Sequence, residues 1–365
     1  EGLSRLDATI SNGRRNSSAT TFLNPALKRD NIKLQKNILV EKIFLENDRA
    51  VGIEVSEKGQ KYRIEAEKEI ILSAGALNSP QILMLSGIGP ADHLRNIGSN
   101  VSHDLPGVGQ NLQDHATVSI SWECLKEFEA HKIDRPINKM MAGIKWIITR
   151  KGLAASNHFE AGGLIRGNDN VKYPNLQYHF GPTGFDYIGG KFKLSQAFTL
   201  QLDLLRPHSR GYLKLKSLNP KDSPEIKLNY FKDPRDIKEL TEGVKKMREL
   251  VSQPVFDKFR GKEISPGSEI QSDSEIEQAI RLNTITDYHQ CGTCAMGTDV
   301  NSVVDSEMRV KGINSLRVVD ASVLPNVVSG NIGAPVMMIA ARAADWILGK
   351  NQLEPLKANF KFDQI

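Results

Sequence analysis

The stretch EIILSAGALNSPQILMLSGIG, residues 69–89, decides the class of fold. Ile70, Ile71 and Leu72 form a continuous apolar run, as a strand buried on both faces does. Ser73 to Ala76 are small and suit a tight turn. Ser79-Pro80 then predicts a helix start, with Ser79 as cap and Pro80 at the first helical position. A buried strand, a small-residue turn and a helix N-terminus make a βα unit. Such a unit is either an ordinary connection or a seat for a phosphate or a flavin.

Upstream, NILVEKIFLE, AVGIEVSE and KYRIEAEKE alternate apolar and polar residues, with DRA and EKGQ between them. That spacing predicts short strands joined by turns. From about residue 116 to 284 the texture changes. YLKLKS and EIKLNYF alternate strictly, as half-exposed antiparallel strands do. Asp233-Pro234 predicts a helix with Ile237, Leu240, Val244, Met247 and Leu250 on one face. Ser272 with Glu275 forms a capping box for a second helix carrying Ile276 and Ile280. Residues 285–350 return to buried-strand text, SLRVVDAS, and then to APVMMIAARAADWI, read as a buried helix. The expected organisation is α/β: residues 1–115 and 285–350 in one unit, 116–284 in a second with an antiparallel sheet and helices, and 351–365 as a tail.

Composition narrows the function. The chain has 365 residues and a net charge of +5, enough length for two domains and too diluted a charge for a nucleic-acid surface. No apolar run approaches the roughly 18 residues of a membrane span. Three cysteines provide no disulfide framework and fit a reducing compartment, as in a cytoplasmic protein. The chain opens at Glu1 inside ordered-looking text, so an N-terminal portion is expected to be missing.

TDYHQCGTCAMG, residues 286–297, poses a choice between a cysteine pair and a histidine. A structural zinc site needs four ligands, and Cys124, the remaining cysteine, is isolated. A redox dithiol belongs to a thioredoxin-like βαβ pattern, which is absent. His289 has the better claim, and what lifts it is its company in the neighbouring blocks of sequence. Its other reading is a packed, hydrogen-bonded histidine.

GALNSPQILMLSGIG (75–89), DLPGVGQNLQDH (104–115), YHQCGTCAMG (288–297) and RVVDASVLPNVVSGN (317–331) occur in the order found in one family. The chain resembles the glucose–methanol–choline (GMC) flavoprotein oxidoreductases over residues 10 to 350. FRGKEISPG (259–267) and SNHFEAGGLIRG (156–167) resemble their choline-oxidising branch. The resemblance implies FAD as cofactor and a small alcohol as substrate, oxidised by hydride transfer to the flavin. The first substrate it implies is choline, giving betaine aldehyde; the alternatives are a neutral primary alcohol or a non-catalytic truncated fragment. It implies a quinone or the respiratory chain as electron acceptor, with peripheral membrane contact, so that the expected location is cytoplasmic or peripheral on the inner membrane. One departure is large: the family's N-terminal G-x-G-x-x-G unit, which cradles the FAD pyrophosphate, is not in this sequence.

The same resemblance assigns residues. His289 is the base that takes the hydroxyl proton, and Asn331 donates a hydrogen bond to the substrate oxygen. Val40 is placed at the adenine, Asp320 and Ala321 at the ribityl–diphosphate region, and Ile332 and Gly333 beside the flavin ring. Here Ile332-Gly333-Ala334 stands where relatives often have Thr-Asn-Ala. Glu160 is placed at the trimethylammonium group and His179 near the substrate, with Tyr178, Phe180, Phe185 and Tyr187 as aromatic walls.

Overall fold

The computed structural model describes residues 1–188, 191–354 and 356; the side chains of residues 185–193, including those of Phe185 and Tyr187, lie outside that description. Twelve strands carry the architecture: β1 (Gly2–Arg5), β2 (Leu39–Glu46), β3 (Arg49–Glu57), β4 (Gln60–Glu65), β5 (Ile70–Leu72), β6 (Ala116–Cys124), β7 (Ala161–Ile165), β8 (Leu176–Gly181), β9 (Ala197–Leu204), β10 (Arg260–Ser265), β11 (Ile285–Thr286) and β12 (Leu316–Val318). Five helices matter here: α1 (Gly75–Leu85), α2 (Pro136–Thr149), α3 (Pro234–Val251), α4 (Asp273–Asn283) and α5 (Gly333–Ile347). No helix of the described residues is long and apolar enough to cross a membrane.

The strands β2, β3 and β4 form an antiparallel meander, as their alternation predicts. Asn47 and Asp48, then Lys58 and Gly59, all take positive φ, which makes both connections two-residue turns matched to the twist of the strands. β5 pairs in parallel with β12, whose three residues are all buried.

The deciding stretch departs from expectation at two points. Ile71 is 46% exposed, so β5 is buried on one side only. Helix α1 begins at Gly75, several residues before Ser79, because its cap comes from the far end of the chain. Asp320 Oδ2 accepts from the Gly75 amide at 2.9 Å and from the Ser79 hydroxyl at 2.5 Å. Pro80 consequently sits inside the helix, where it cannot donate to the Ala76 carbonyl. Thr293 Oγ1 donates to that carbonyl instead, at 2.5 Å.

A seven-stranded antiparallel sheet dominates the rest, in the order β1-β7-β8-β9-β6-β10, with β11 also on β6. Period-two alternation separates its faces. Val118, Ile120, Leu176, Leu200, Leu202 and Leu204 point to one side and pack on α3 and α4 through Ile237, Leu240, Val244, Met247, Ile276 and Ile280. Each large side chain so buried contributes roughly 1.5–3 kcal/mol. Asp233 caps α3 as predicted, and Ser272 and Glu275 form the capping box of α4. The other face carries Thr117, Ser119, Gln177, His179, Gln201 and Asp203, paired across β6, β9 and β8.

A second core lies around α1, with Leu83, Met84, Ile88, Leu94, Val108, Cys291, Cys294 and Val304. Leu213 and Leu215 join it, since YLKLKS and EIKLNYF form only a two-stranded hairpin that leaves the large sheet. Helix α5 is buried along one stripe, at Ile339 and Ala343, while Met338 is 53% exposed. It is not the fully buried helix its composition implies.

Candidate active site

The site is built on the polar face of the sheet, where the chain enters β6 and leaves β11. Asp114, just before β6, is buried and acts as an anchor. Its Oδ1 accepts from the His289 amide at 2.9 Å. Its Oδ2 accepts from Tyr230 at 2.6 Å, Thr286 at 2.5 Å and Gln290 at 3.0 Å. These bonds hold the backbone of residues 286–290, in which Tyr288 takes φ +60°, a left-handed conformation costly for a bulky residue. The Tyr288 amide donates to Thr286 Oγ1 at 2.9 Å, which helps to fix that turn. The result is a buried His289 at a defined place.

Two groups lie on the Nδ1 side of the His289 ring: His115 Nδ1 at 2.9 Å and Asp287 Oδ2 at 2.9 Å. On the Nε2 side stands Asn331 Nδ2 at 3.5 Å. Asn331 Oδ1 in turn accepts from Gln177 Nε2 at 3.2 Å. The amide nitrogen of Asn331 therefore faces His289, so that a donor and a histidine nitrogen converge on one spot. An alcohol oxygen placed there meets a base for its proton and a hydrogen-bond donor for its developing charge.

A second histidine lies on the same face. His179 Nε2 is 2.7 Å from Gln177 Nε2, and His179 Nδ1 is 3.4 Å from Asp203 Oδ2. Gln177 thus links His179 to Asn331. Asp203 is fully buried and accepts from Thr117 Oγ1 at 2.7 Å. Burial, reinforced by the nearby Asp287, pushes its carboxyl well above the usual carboxylate range. Burial also lowers the pKa of His179, and it lowers that of His115 to about 4, with the neighbouring His289 adding to the effect.

The remaining residues named from sequence are distributed unevenly. Asn331 and Gly333 are exposed beside His289, and Ile332 is buried between them. Asp320 spends its carboxylate internally, on Gly75, Ser79 and the Ser322 amide, while Ala321 is half-buried. Val40 sits near the start of β2, half-buried against the core around α1. Glu160 has a side chain 59% exposed, 4.0 Å from Arg5, and borders a cavity of about 640 Å³ with Phe128, Phe180 and Leu194. His289, Asn331 and His179 are not among the residues lining that cavity. Phe159 bridges the two places, its ring 5.8 Å from that of His179. Tyr178 and Phe180 are not aromatic walls around His179: alternation turns both to the helix side, where the Tyr178 hydroxyl donates to the Gly243 carbonyl at 2.9 Å and Phe180 stacks on Phe198.

Sequence reading did not single out Asp114, His115, Asp287, Asp203 or Gln177. The first two end the block DLPGVGQNLQDH, but nothing in that text says that its last two residues meet a loop some 170 positions later. The cysteines are structural neighbours. Cys291 and Cys294 are free and fully buried in the core around α1. Burial pushes the Cys291 thiol up to about 12 and that of Cys294 higher still. Neither is a thiolate nucleophile at neutral pH.

Beside Asn331, the backbone is open. A Cβ built on Gly330 or Gly333 meets no atom within 4 Å, and the N-terminus of α5 has no side-chain cap. Exposed backbone and unspent N–H groups next to a buried histidine suit a flat ring with an electron-rich edge, so the residues present fit a flavin.

Two family profiles, both described as GMC oxidoreductase, match residues 1–117 and 207–340, and the chain belongs to the GMC oxidoreductase family. It is 44% identical over 355 residues to "Choline dehydrogenase, mitochondrial" of Homo sapiens, covering 97% of this chain and 60% of that one. It is 41% identical over 363 residues to "Oxygen-dependent choline dehydrogenase 1" of Chromohalobacter salexigens, covering 99% and 65%. The chain thus spans about three fifths of the length of these relatives. Among solved structures it is similar to a formate oxidase of Aspergillus oryzae RIB40 studied for FAD modification. That match has a TM-score of 0.88 at 26% identity, over 96% of this chain and 66% of the other.

Proposed function

We propose that this chain carries the proton-handling and substrate-binding part of an FAD-dependent oxidoreductase that oxidises a primary alcohol, choline first, to its aldehyde. The observation that carries the reading is the pairing of His289 Nε2 with Asn331 Nδ2 at 3.5 Å, beside open backbone. FAD, when bound, supplies the hydride acceptor. His289 takes the hydroxyl proton through Nε2, and Asn331, which cannot titrate, donates to the substrate oxygen as charge builds there. Gln177 orients Asn331 through its 3.2 Å bond. Ile332 and Gly333 line the ring side, and Asp320, Ala321 and Val40 support the rest of the cofactor through the backbone they hold. Choline as substrate is supported by the names of the relatives at 41–44% identity.

A quaternary ammonium is recognised by aromatic faces and a carboxylate. Glu160 on the neighbouring cavity, and Phe159 beside it with its ring 5.8 Å from that of His179, supply that chemistry. We also infer the division into a cofactor unit (1–115 with 285–350) and a substrate unit (116–284), with β1 and the 212–227 hairpin exchanged between them. Electrons pass onward to a quinone or the respiratory chain, or to oxygen, as the names of several relatives state. Contact with a membrane surface is supported by α2. None of its 14 residues is buried, and Ile137, Met140, Ile147 and Ile148 face outward near Lys139 and Lys145.

The test is anaerobic bleaching of bound FAD in the full-length protein, with choline and then with a neutral primary alcohol. Fast bleaching by choline alone upholds the reading. Bleaching by the neutral alcohol alone keeps the mechanism and removes the substrate. No bleaching by either, with FAD bound, overturns the function.

A further inference from the structure

A histidine works as a base only if the nitrogen facing the substrate is the unprotonated one. Which nitrogen that is depends on what the other one touches. This inference rests on the reading of His289 as the base, and it concerns how its bare nitrogen is chosen.

The choice can be followed outward from a backbone carbonyl. His115 Nε2 lies 3.1 Å from the Val328 carbonyl oxygen. A carbonyl only accepts, so His115 carries its proton on Nε2. A neutral imidazole protonated there has a lone pair on Nδ1. That lone pair faces His289 Nδ1 at 2.9 Å, and the two rings meet edge to face at 84°. His289 must then be the donor, with its proton on Nδ1, and its Nε2 is left bare toward Asn331.

We propose that His115 is a positioning residue that sets the tautomer of His289, through a relay running from the Val328 carbonyl to His115 Nε2–H and from His289 Nδ1–H to His115 Nδ1. His115 stands on the far side of His289 from Asn331 and does not touch the substrate position. Burial keeps its pKa near 4, so the ring is neutral at working pH and does not compete for the substrate proton.

Asp287 Oδ2 also lies 2.9 Å from His289 Nδ1, but its approach makes no hydrogen bond of sound geometry, and it is a buried oxygen without one. Its part is to place negative charge beside the ring. His115, Asp287 and His289 also offer three ligand atoms within 4.8 Å of one another. The separation between the two ring nitrogens argues against a metal there. Ligands on a tetrahedral zinc, with bonds of about 2.0–2.1 Å, stand roughly 3.3 Å apart. A spacing of 2.9 Å is that of a hydrogen bond.

The experiment is long-range 1H–15N spectroscopy of the histidine side chains in the full-length protein at about pH 7.5, with three variants beside the wild type. Expected in the wild type are a protonated Nδ1 and bare Nε2 in His289, and the reverse in His115. His115→Leu removes the acceptor: the His289 pattern shifts toward protonated Nε2, and the flavin reduction rate at saturating substrate falls about tenfold or more while KM holds. His115→Gln keeps an acceptor for His289 and a donor for Val328, and restores both readouts. A wild-type His289 protonated on Nε2 overturns the proposal. So does an unchanged His289 pattern in a folded His115→Leu, or a pattern that moves in Asp287→Asn and not in His115→Leu. Added Zn2+ that shifts both Nδ1 signals at stoichiometric amounts also overturns it, in favour of a metal site. A relay found as described, in a protein whose flavin reduction survives His289→Ala, would uphold the tautomer and sink the functional reading instead.

Discussion

One sheet has two faces, and they do different work. The face toward α3 and α4 is filled mainly by Leu, Ile, Val and aromatic side chains, and its polar groups are spent locally, the Tyr178 hydroxyl on a backbone carbonyl and Glu263 on Arg248 of α3. The face away from the helices carries Thr117, Gln177, His179 and Asp203, tied to one another and to the loops bearing His289 and Asn331. The same strands build both, one residue apart. A packed apolar face fixes register, because a one-residue slip would exchange the two sets of side chains. The polar face inherits that precision. Buried polar groups need it, since an unpaired one costs about 1–3 kcal/mol.

Substitutions can separate the faces. The largest effect is expected at His289→Ala, which should slow flavin reduction by about 10²–10⁴-fold at saturating substrate, with a stability cost of about 1–3 kcal/mol for leaving His115 Nδ1 unpaired. Rapid-mixing absorbance at the flavin band measures the first, and calorimetry the second. Leu202→Ala, on the opposite face and fully buried, should act on stability alone. It should cost about 2–5 kcal/mol in denaturant unfolding and leave the rate per folded molecule within about twofold. If Leu202→Ala slowed the chemistry as much as His289→Ala, the faces would not be separable.

Acid should act on the polar face first. Unfolded His115 takes up a proton below about 6.5, whereas the folded ring does so only below about 4. Between these values the unfolded chain binds more protons, so stability falls as pH is lowered through that window. The loss amounts to about 3 kcal/mol by about pH 4 and is absent above about pH 7. Urea titrations from about pH 7.5 to 4 check this, and His115→Gln should remove that part of the slope. A smaller effect is expected at Glu160→Gln. Its side chain is largely exposed, so KM for choline should rise about tenfold at most, with no change for a neutral alcohol. An equal change for both substrates would detach Glu160 from the cation. Smallest of all, Cys291→Ser should keep flavin reduction within about a factor of two, because a buried thiol with a raised pKa takes no part in the chemistry.

Much of the site was legible as text, but not its connections. His289 stood out from CGTC because zinc lacked ligands and a dithiol lacked its fold, and the burial of both cysteines agrees with that choice. The meander from Leu39 to Glu65, the Asp233-Pro234 start of α3 and the capping box of α4 followed from local patterns, since turns and caps are made by neighbours in sequence. The helix start at Gly75 is not legible in local text, because its cap, Asp320, lies 245 residues away. Aromatic composition does not say which face a strand residue occupies, so Tyr178 and Phe180 read as walls of the site although both stand on the helix side.

The sequence by itself determined the elements, the family and the residue types able to move a proton or steady a charge: His289, His179 and Asn331. Periodicity and capping act over a few residues and can be read directly. Only the tertiary structure decided which of these side chains meet. Asp114 anchors the His289 loop, His115 faces Nδ1, Asn331 faces Nε2, and Glu160 lies beside a separate cavity. The physical reason is that hydrogen bonds and desolvation depend on distance and burial, and both are set by the packing of the whole chain.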